Sequence, residues 1–167
     1  CYDSVPDPEH LTRILNACIQ NGHQSVAEHA YFTFEITGIS RACLAHLTRH
    51  RLASFSVRSQ RYCSEDGFGY VTPPMIAADT KAHEIYRTLM ATVNSVYKYL
   101  VNDCGIANED ARFVLPNACE TVLTVTVNLR ELIHICNERL CNRAQWEIRE
   151  MLLKMRDLLV AEEPWLE

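Results

Sequence analysis

Residues 121–130, TVLTVTVNLR, constrain the fold of this chain more than any other stretch. Apolar and polar residues alternate along it, which is the period of two of a β-strand with one buried face. The apolar members are Leu123, Val125, Val127 and Leu129. The segment YFTFEIT, residues 31–37, alternates in the same way, with Phe32, Phe34 and Ile36 on one face. The sequence therefore predicts a sheet in which two strands each bury one side.

Most of the remaining sequence has the 3.6-residue period of helices. The predicted helices cover residues 8–22, 41–51, 78–103, 130–141 and 143–162. Ser40 is placed to cap the second helix, and Gly105 is a stop signal after the third. The third helix has the clearest apolar stripe, formed by Ile85, Leu89, Val93, Val96 and Leu100. Long helices with a few separate strands predict a helix-dominated α+β class, and 167 residues predict a single domain.

The composition argues against several classes of protein. With 48% apolar and 22% charged residues, the chain can bury a core, so wholesale disorder is excluded. A net charge of −5 argues against a non-specific nucleic-acid binder, and no apolar run reaches the ~18 residues of a membrane span. Eight cysteines without a CxxC pair indicate reduced thiols and a cytoplasmic location. We expect no signal peptide, and the start at Cys1 leads us to expect that an N-terminal segment is missing.

Residues 36–64 hold five arginines, two histidines and no acidic residue. The arginines are Arg41, Arg49, Arg51, Arg58 and Arg61, and the histidines are His46 and His50. Arginine also dominates the whole chain, with 13 Arg among 16 basic residues. Guanidinium groups bind phosphates through paired hydrogen bonds, and the apolar neighbours of these arginines indicate a packed segment. The segment is therefore predicted to bind an anionic ligand, with a solvated basic face as the alternative interpretation.

Further arginines and one serine are candidates for the same ligand. If SFSVRSQRY, residues 54–62, is extended, Ser59 and Arg61 share one face. Arg139 and Arg143 are one helical turn apart, and Arg112 precedes an apolar run. Because Gly-rich phosphate loops are absent, side chains must hold any nucleotide.

The segment GHQSVAEH contains His23, Glu28 and His29, which together suggest a metal site. Their spacing is not that of a zinc motif such as HExxH, so we predict no metal. The local pattern is interpreted as a helix capping box between Ser25 and Glu28. A metal-dependent phosphohydrolase using the two histidines and Glu28 is one alternative hypothesis.

RHRLASFSVRS, residues 49–59, is RHR followed by seven residues and Ser, and it resembles the signature of the flavin-dependent thymidylate synthases. Other blocks resemble that family in the same order, over roughly residues 1–150. They are GHQSVAEH upstream, and SQRY, EDARFVLPNACET, VNLRELIH and NRAQWEIR downstream.

The resemblance implies an enzyme that methylates deoxyuridylate (dUMP) to thymidylate (dTMP) in de novo synthesis. In such an enzyme 5,10-methylenetetrahydrofolate donates the carbon, and FAD reduced by NADPH supplies the hydride. It further implies one domain over residues 1–167, with a small, mainly antiparallel sheet and the fold of the thymidylate synthase-complementing proteins. The expected assembly is a homotetramer with active sites at subunit interfaces, and neither nucleic acid nor membrane is an expected partner. A relative that binds nucleotide or flavin without catalysis is the other alternative.

The resemblance also assigns residues to ligands. The expected FAD contacts are His23, Ser25, Glu28, Arg49, His50, Arg51, Asn128, Arg130 and His134. The expected dUMP contacts are His46, Arg49, Ser59, Gln60, Arg61, Arg112 and Arg139. Arg139 and Ser59 are the expected catalytic residues: Arg139 is expected to face the uracil ring, and Ser59 to act by hydrogen bonding to the nucleotide rather than by attack. Two residues depart from the family pattern. His46 stands where many members have Gln, and Val57 stands where some members have Glu.

Overall fold

The alternating segment near residue 125 forms the central strand of the sheet. In the computed structural model, which describes residues 7–166, the strands are β1 (Tyr31–Ser40), β2 (Ser54–Val57) and β3 (Glu120–Asn128). They form an antiparallel sheet in the order β1–β3–β2. Leu123, Val125 and Val127 are buried as predicted, each 1% exposed, and Ile36 is buried on β1. The predicted helix-dominated α+β class with a small antiparallel sheet is confirmed.

Helices occupy most of the described chain. They are α1 (Pro8–Gln20), α2 (Arg41–Leu47), α3 (Pro74–Ala78), α4 (Thr80–Lys98), α5 (Asn108–Ala111), α6 (Leu129–Arg139) and α7 (Trp146–Glu162). Short 3₁₀ turns lie at Gln24–His29, Arg112–Val114 and Pro164–Leu166, and a π-helical turn lies at Tyr99–Asp103. No helix of the described residues is long and apolar enough to cross a membrane.

The chain divides into two compact units. The first unit comprises the described residues up to Phe34, the segment His50–Ser54, and the described residues from Val125 onward. In it, α6 packs against α7 and against the 3₁₀ turn Gln24–His29, which also contacts α1. Its core includes Ile135 of α6 together with Ile148, Met151, Leu152 and Met155 of α7.

The second unit comprises Glu35–Arg49 and Phe55–Thr124. In it, α4 packs against α3 and against the turns on either side of α5. Ser40 caps α2 as predicted, because its Oγ accepts the Cys43 N–H at 3.0 Å, but α2 ends at Leu47 rather than near Arg51. Gly105 ends the helical region with a φ of +67°, which glycine tolerates best.

The apolar stripe predicted on α4 is largely unburied in a single chain. Ile85 is 72% exposed, Leu89 52% and Val96 43%, whereas Met90 and Tyr97 face the core. The predicted apolar stripe is therefore present, but much of it is not covered by this chain. Helical periodicity identifies an apolar face, but it does not tell whether that face packs within the same chain.

The segment SFSVRSQRY is extended only over β2, so the shared strand face predicted for Ser59 and Arg61 is wrong. After Val57 the chain turns, with the Cys63 N–H donating to the Ser59 carbonyl at 2.9 Å. The Ser59 Oγ accepts the Arg61 N–H at 3.2 Å. A serine hydroxyl that bonds a backbone N–H two residues ahead competes with the extended conformation, and here it stabilises the turn.

Candidate active site

The junction of β3 and α6 places several predicted ligand-binding residues around one cavity of the first unit. The Asn128 Oδ1 accepts the Glu131 N–H at 2.9 Å, so this residue ends the strand and caps the helix. Arg130 and His134 follow on α6 four residues apart, which puts them on one face of the helix. The cavity has a volume of about 780 Å³. Its lining includes Glu28, Asn128, Arg130 and His134, all four predicted from the resemblance to contact FAD.

Charged and apolar groups both line this cavity. The Arg130 Nη1 pairs with the Glu28 carboxylate, and the His134 Nε2 lies 3.6 Å from the Glu138 Oε1. The exposed side chains of Tyr31 and Leu52 also line it. Such a lining offers cationic and amide donors beside apolar surface, which suits a large ligand carrying both rings and anionic groups.

His23 and Ser25 do not line this cavity. Both are exposed, His23 immediately before the 3₁₀ turn Gln24–His29 and Ser25 within it. The capping box predicted between Ser25 and Glu28 is wrong, because the N-cap position falls at His23, two residues before Ser25, and Glu28 pairs with Arg130 instead. A long-range ion pair therefore replaces the predicted local contact.

The buried His50 and the partly buried Arg139 are in contact in the first unit. His50 is only 5% exposed, and the Arg139 Nε donates to its Nε2 at 3.1 Å. On the other side of the ring, Nδ1 lies 3.9 Å from the Oε1 of the buried Glu131. Burial and then the nearby Arg139 charge lower the pKa of His50, so the imidazole is neutral near pH 7. Arg139 closes α6, where a cation is favourable at the negative end of the helix.

Glu109 binds two of the predicted phosphate-binding arginines in the second unit. The Arg61 Nε and Nη2 lie 2.9 and 2.8 Å from the Glu109 Oε2, and the Arg112 Nε donates to the Glu109 carbonyl at 3.0 Å. Glu109 is not among the site residues predicted from the sequence. Its place three residues before Arg112 in EDARFVLP was the available signal, but no pattern relates it to Arg61.

The other predicted nucleotide and flavin contacts are more dispersed. The Gln60 Nε2 lies 3.7 Å from the Sγ of the buried Cys119, and His46 is exposed in the last turn of α2. Arg49 and Arg51 are exposed, and their guanidinium groups make no hydrogen bond within residues 7–166. These two arginines of the RHR signature are thus free to bind an external anion.

Two arginines of the basic segment have structural partners instead. The Arg58 Nε lies 3.4 Å from the Oε1 of the buried Glu65, and its Nη2 donates to the Ser64 carbonyl at 3.0 Å. The Arg41 Nη2 donates to the Arg58 carbonyl at 3.0 Å. Part of the positive charge of residues 36–64 is therefore neutralised by carboxylates that lie outside the segment.

Arg143 does not project beside Arg139 from one helix, as the sequence suggested. Helix α6 ends at Arg139, and Arg143 lies in the turn before α7. Residues four apart project together only where one helix continues through both of them, and α6 ends before Arg143.

One group of side chains in the described residues has the donor atoms for a metal. His50, His134 and Glu138 offer ligand atoms within 4.8 Å of one another, whereas His23, Glu28 and His29 do not form such a group in this part of the chain. The His50 Nε2 already accepts a hydrogen bond from Arg139, and the adjacent guanidinium opposes a second cation. The prediction of no metal therefore stays.

Comparisons with known proteins agree on one family. The family model described as "Thymidylate synthase complementing protein" matches residues 1–165. The curated "Flavin-dependent thymidylate synthase" of Geobacter sulfurreducens is 47% identical over 95% of this chain and 72% of its own length. The proteins of the same name from Pyrococcus furiosus and Nitratidesulfovibrio vulgaris are 48% and 49% identical. These two matches cover 88% and 81% of this chain, but only 60% and 58% of the relatives' lengths.

Proposed function

This chain belongs to the thymidylate synthase complementing protein family, and on that premise we propose that it is a flavin-dependent thymidylate synthase. The proposed reaction is the reductive methylation of dUMP to dTMP, with 5,10-methylenetetrahydrofolate as carbon donor and NADPH as reductant of FAD. The observation that carries the proposal is the convergence of four predicted flavin contacts on one cavity of about 780 Å³. The chain spans about 58% to 72% of the length of the curated relatives described above.

The residues around the cavity fit a flavin. Arg130 can exchange its Glu28 partner for an anionic phosphate, and the Asn128 amide and the His134 ring add hydrogen-bonding groups. Tyr31 and Leu52 supply apolar surface for a planar ring system. When bound, the flavin supplies the hydride that converts the transferred methylene into a methyl group. Arg49 and Arg51, whose guanidinium groups are exposed, are proposed to bind the anionic parts of FAD and of the nucleotide.

Arg61 and Arg112 are proposed to bind the phosphate of dUMP. A phosphate monoester carries up to two negative charges, and paired guanidinium groups are its strongest side-chain partners. Glu109 already holds both arginines in one place, so little side-chain entropy is lost when they bind the phosphate. Ser59, Gln60 and His46 are proposed as further nucleotide contacts.

Arg139 is proposed as the catalytic residue that faces the uracil ring. Its Nε is bonded to His50, while its two terminal nitrogens make no hydrogen bond within the described residues. A fixed cation of this kind stabilises negative charge that develops on a uracil oxygen, which makes carbon 5 nucleophilic. Ser59 is proposed to act by hydrogen bonding, because no base is hydrogen-bonded to its Oγ in the described part of the chain.

We also propose that residues 1–167 act as one functional domain that assembles as a homotetramer. The exposed apolar face of α4, with Ile85, Leu89 and Val96, supports self-association, since such a face is stabilised when a second copy covers it. A cytoplasmic location is proposed because the seven cysteines in the described residues are all free thiols.

The test combines a spectrum with an isotope assay. Purified protein should show flavin absorbance, directly or after addition of FAD, and should release tritium from carbon 5 of labelled dUMP when methylenetetrahydrofolate and NADPH are present. The Arg139→Ala variant should lose this release while keeping the flavin spectrum. Absence of flavin binding would overturn the proposal. Binding of FAD and dUMP without tritium release would instead support the non-catalytic alternative.

A further inference from the structure

His50 differs from its two neighbours in the RHR signature because its side chain is buried. It is 5% exposed, whereas Arg49 and Arg51 are exposed. A buried imidazole whose two nitrogens both face protein side chains has little surface left for a ligand. The burial of His50 therefore points to a role toward other residues of the chain.

The groups beside the two ring nitrogens of His50 indicate which nitrogen carries the proton. Its Nε2 faces the Arg139 Nε at 3.1 Å, and arginine can only donate, so Nε2 must carry the lone pair. In a neutral imidazole the proton is then on Nδ1, on the side of the Glu131 Oε1 at 3.9 Å. The negative charge of Glu131 favours a proton on that nitrogen. Glu131 is itself held in place, because its backbone N–H donates to the Asn128 cap.

We propose that His50 is a positioning residue that fixes the guanidinium of Arg139, and that Glu131 selects the tautomer that makes this possible. Because the guanidinium is planar, a hydrogen bond at Nε restricts the orientation of its plane and leaves both terminal nitrogens without a hydrogen bond within the described residues. The inference deepens the proposed function, on which it rests for the role of Arg139. The hydrogen-bonded arrangement itself can be tested without any catalytic assay.

The arrangement is sensitive to protonation. A protonated His50 has no lone pair on Nε2, so it cannot accept from Arg139, and two cations then lie next to each other. The other charged or titratable groups that act on His50 are Glu138, Glu131 and His134, all on α6. Acidification that protonates His50 should therefore release Arg139 from its fixed position.

The first experiment measures the tautomer by NMR of ¹⁵N-histidine-labelled protein near pH 7. The His50 signals are identified by their loss in His50→Gln. We expect a protonated Nδ1 and an unprotonated Nε2, a clear shift of Nε2 in Arg139→Met, and a mixture of tautomers in Glu131→Gln. A charged His50 at this pH, or an Nε2 signal unchanged by Arg139→Met, would overturn the positioning role. This result does not depend on whether the protein makes thymidylate.

The second experiment compares turnover in two substitutions of the same residue. His50→Gln keeps an oxygen that can accept from Arg139, and His50→Leu does not. With FAD and dUMP saturating, we expect kcat of His50→Leu to fall about 10- to 100-fold below that of His50→Gln, the range for one lost charge-assisted hydrogen bond. The KM for dUMP should be similar in the two variants. The acid limb of the wild-type pH–kcat profile that reports His50 should be absent in His50→Gln.

Controls separate misfolding and failure of the proposed function from failure of this inference. His83→Gln, an exposed histidine of α4, should leave the profile unchanged. Thermal unfolding and flavin absorbance show whether each variant folds and binds cofactor. Equal kcat for the two His50 variants, or an acid limb that persists in His50→Gln, contradicts the positioning role. If the wild type makes no thymidylate, the proposed function fails, and the NMR result still decides the contact.

Discussion

Arg61 and Arg58 offer a matched pair for testing the phosphate site. Both arginines lie in the turn region after β2, and both pair with a carboxylate, Arg61 with Glu109 and Arg58 with Glu65. Their side chains are similarly exposed, 51% and 43%. Of these two arginines, only Arg61 is proposed to bind dUMP. The two alanine variants should therefore separate ligand affinity from stability.

The expected free-energy changes follow from how exposed the carboxylate partner of each arginine is. The Arg61–Glu109 pair is half-exposed on both sides, so its loss should cost only ~0–1 kcal/mol of unfolding free energy. Loss of a charge-assisted contact with phosphate should cost about 1.5–3 kcal/mol of binding, which raises the Kd for dUMP about 10- to 100-fold. Arg58→Ala has the opposite expectation. It leaves the buried Glu65 without its cation, at about 1–3 kcal/mol of unfolding free energy, with little effect on dUMP.

Isothermal titration calorimetry with FAD present measures the affinity, and thermal unfolding measures the stability. Deoxyuridine, which lacks the phosphate, is the ligand control, because Arg61→Ala should not change its binding. The reasoning is refuted if Arg61→Ala binds dUMP like the wild type. It is also refuted if Arg58→Ala weakens dUMP binding as much, since a general loss of positive charge would then explain both.

Three further predictions follow from burial and charge. The buried Cys119 thiol, whose pKa burial raises to about 11, should resist iodoacetamide at pH 8 while the exposed Cys104 reacts, as peptide mass spectrometry would show. Because the pKa of His50 is lowered in the folded protein, the unfolded state binds more protons below pH 6.5, so unfolding free energy should fall on acidification more steeply in the wild type than in His50→Gln. Leu89→Glu on α4 should keep the helical circular dichroism spectrum but reduce the mass measured by light scattering, and an unchanged mass would remove α4 from the interface.

Local patterns were sufficient for much of the fold. The alternation along β3 and the Ser40 cap of α2 are both confirmed, because each depends on residues within a few positions of one another. The prediction of a strand through Ser59 was wrong, because a hydrogen bond from the Arg61 N–H to the Ser59 hydroxyl stabilises a turn there. The alternation of polar residues in the sequence does not reveal such a hydrogen bond.

The candidate site was less accessible to sequence reasoning, because its partners are distant along the chain. Glu109 lies 48 residues from Arg61, and His50 lies 89 residues from Arg139. The resemblance named three of these four residues, but it did not predict which pairs touch. The apolar stripe of α4 was identified from its periodicity, but a single sequence does not show whether another copy of the chain covers it.

The cap at Asn128 limits what this residue can recognise. Its Oδ1 is engaged with the backbone of α6, so the NH₂ group is the part left for a molecule in the cavity. Asn128 therefore favours a ligand atom with a lone pair, such as a carbonyl or phosphate oxygen. An attempt to change the cofactor preference of this protein would do better to alter Ile133, which lines the same cavity without holding the start of a helix. At Asn128 one side-chain amide therefore has two roles: its oxygen caps α6, and its NH₂ group is left for the ligand.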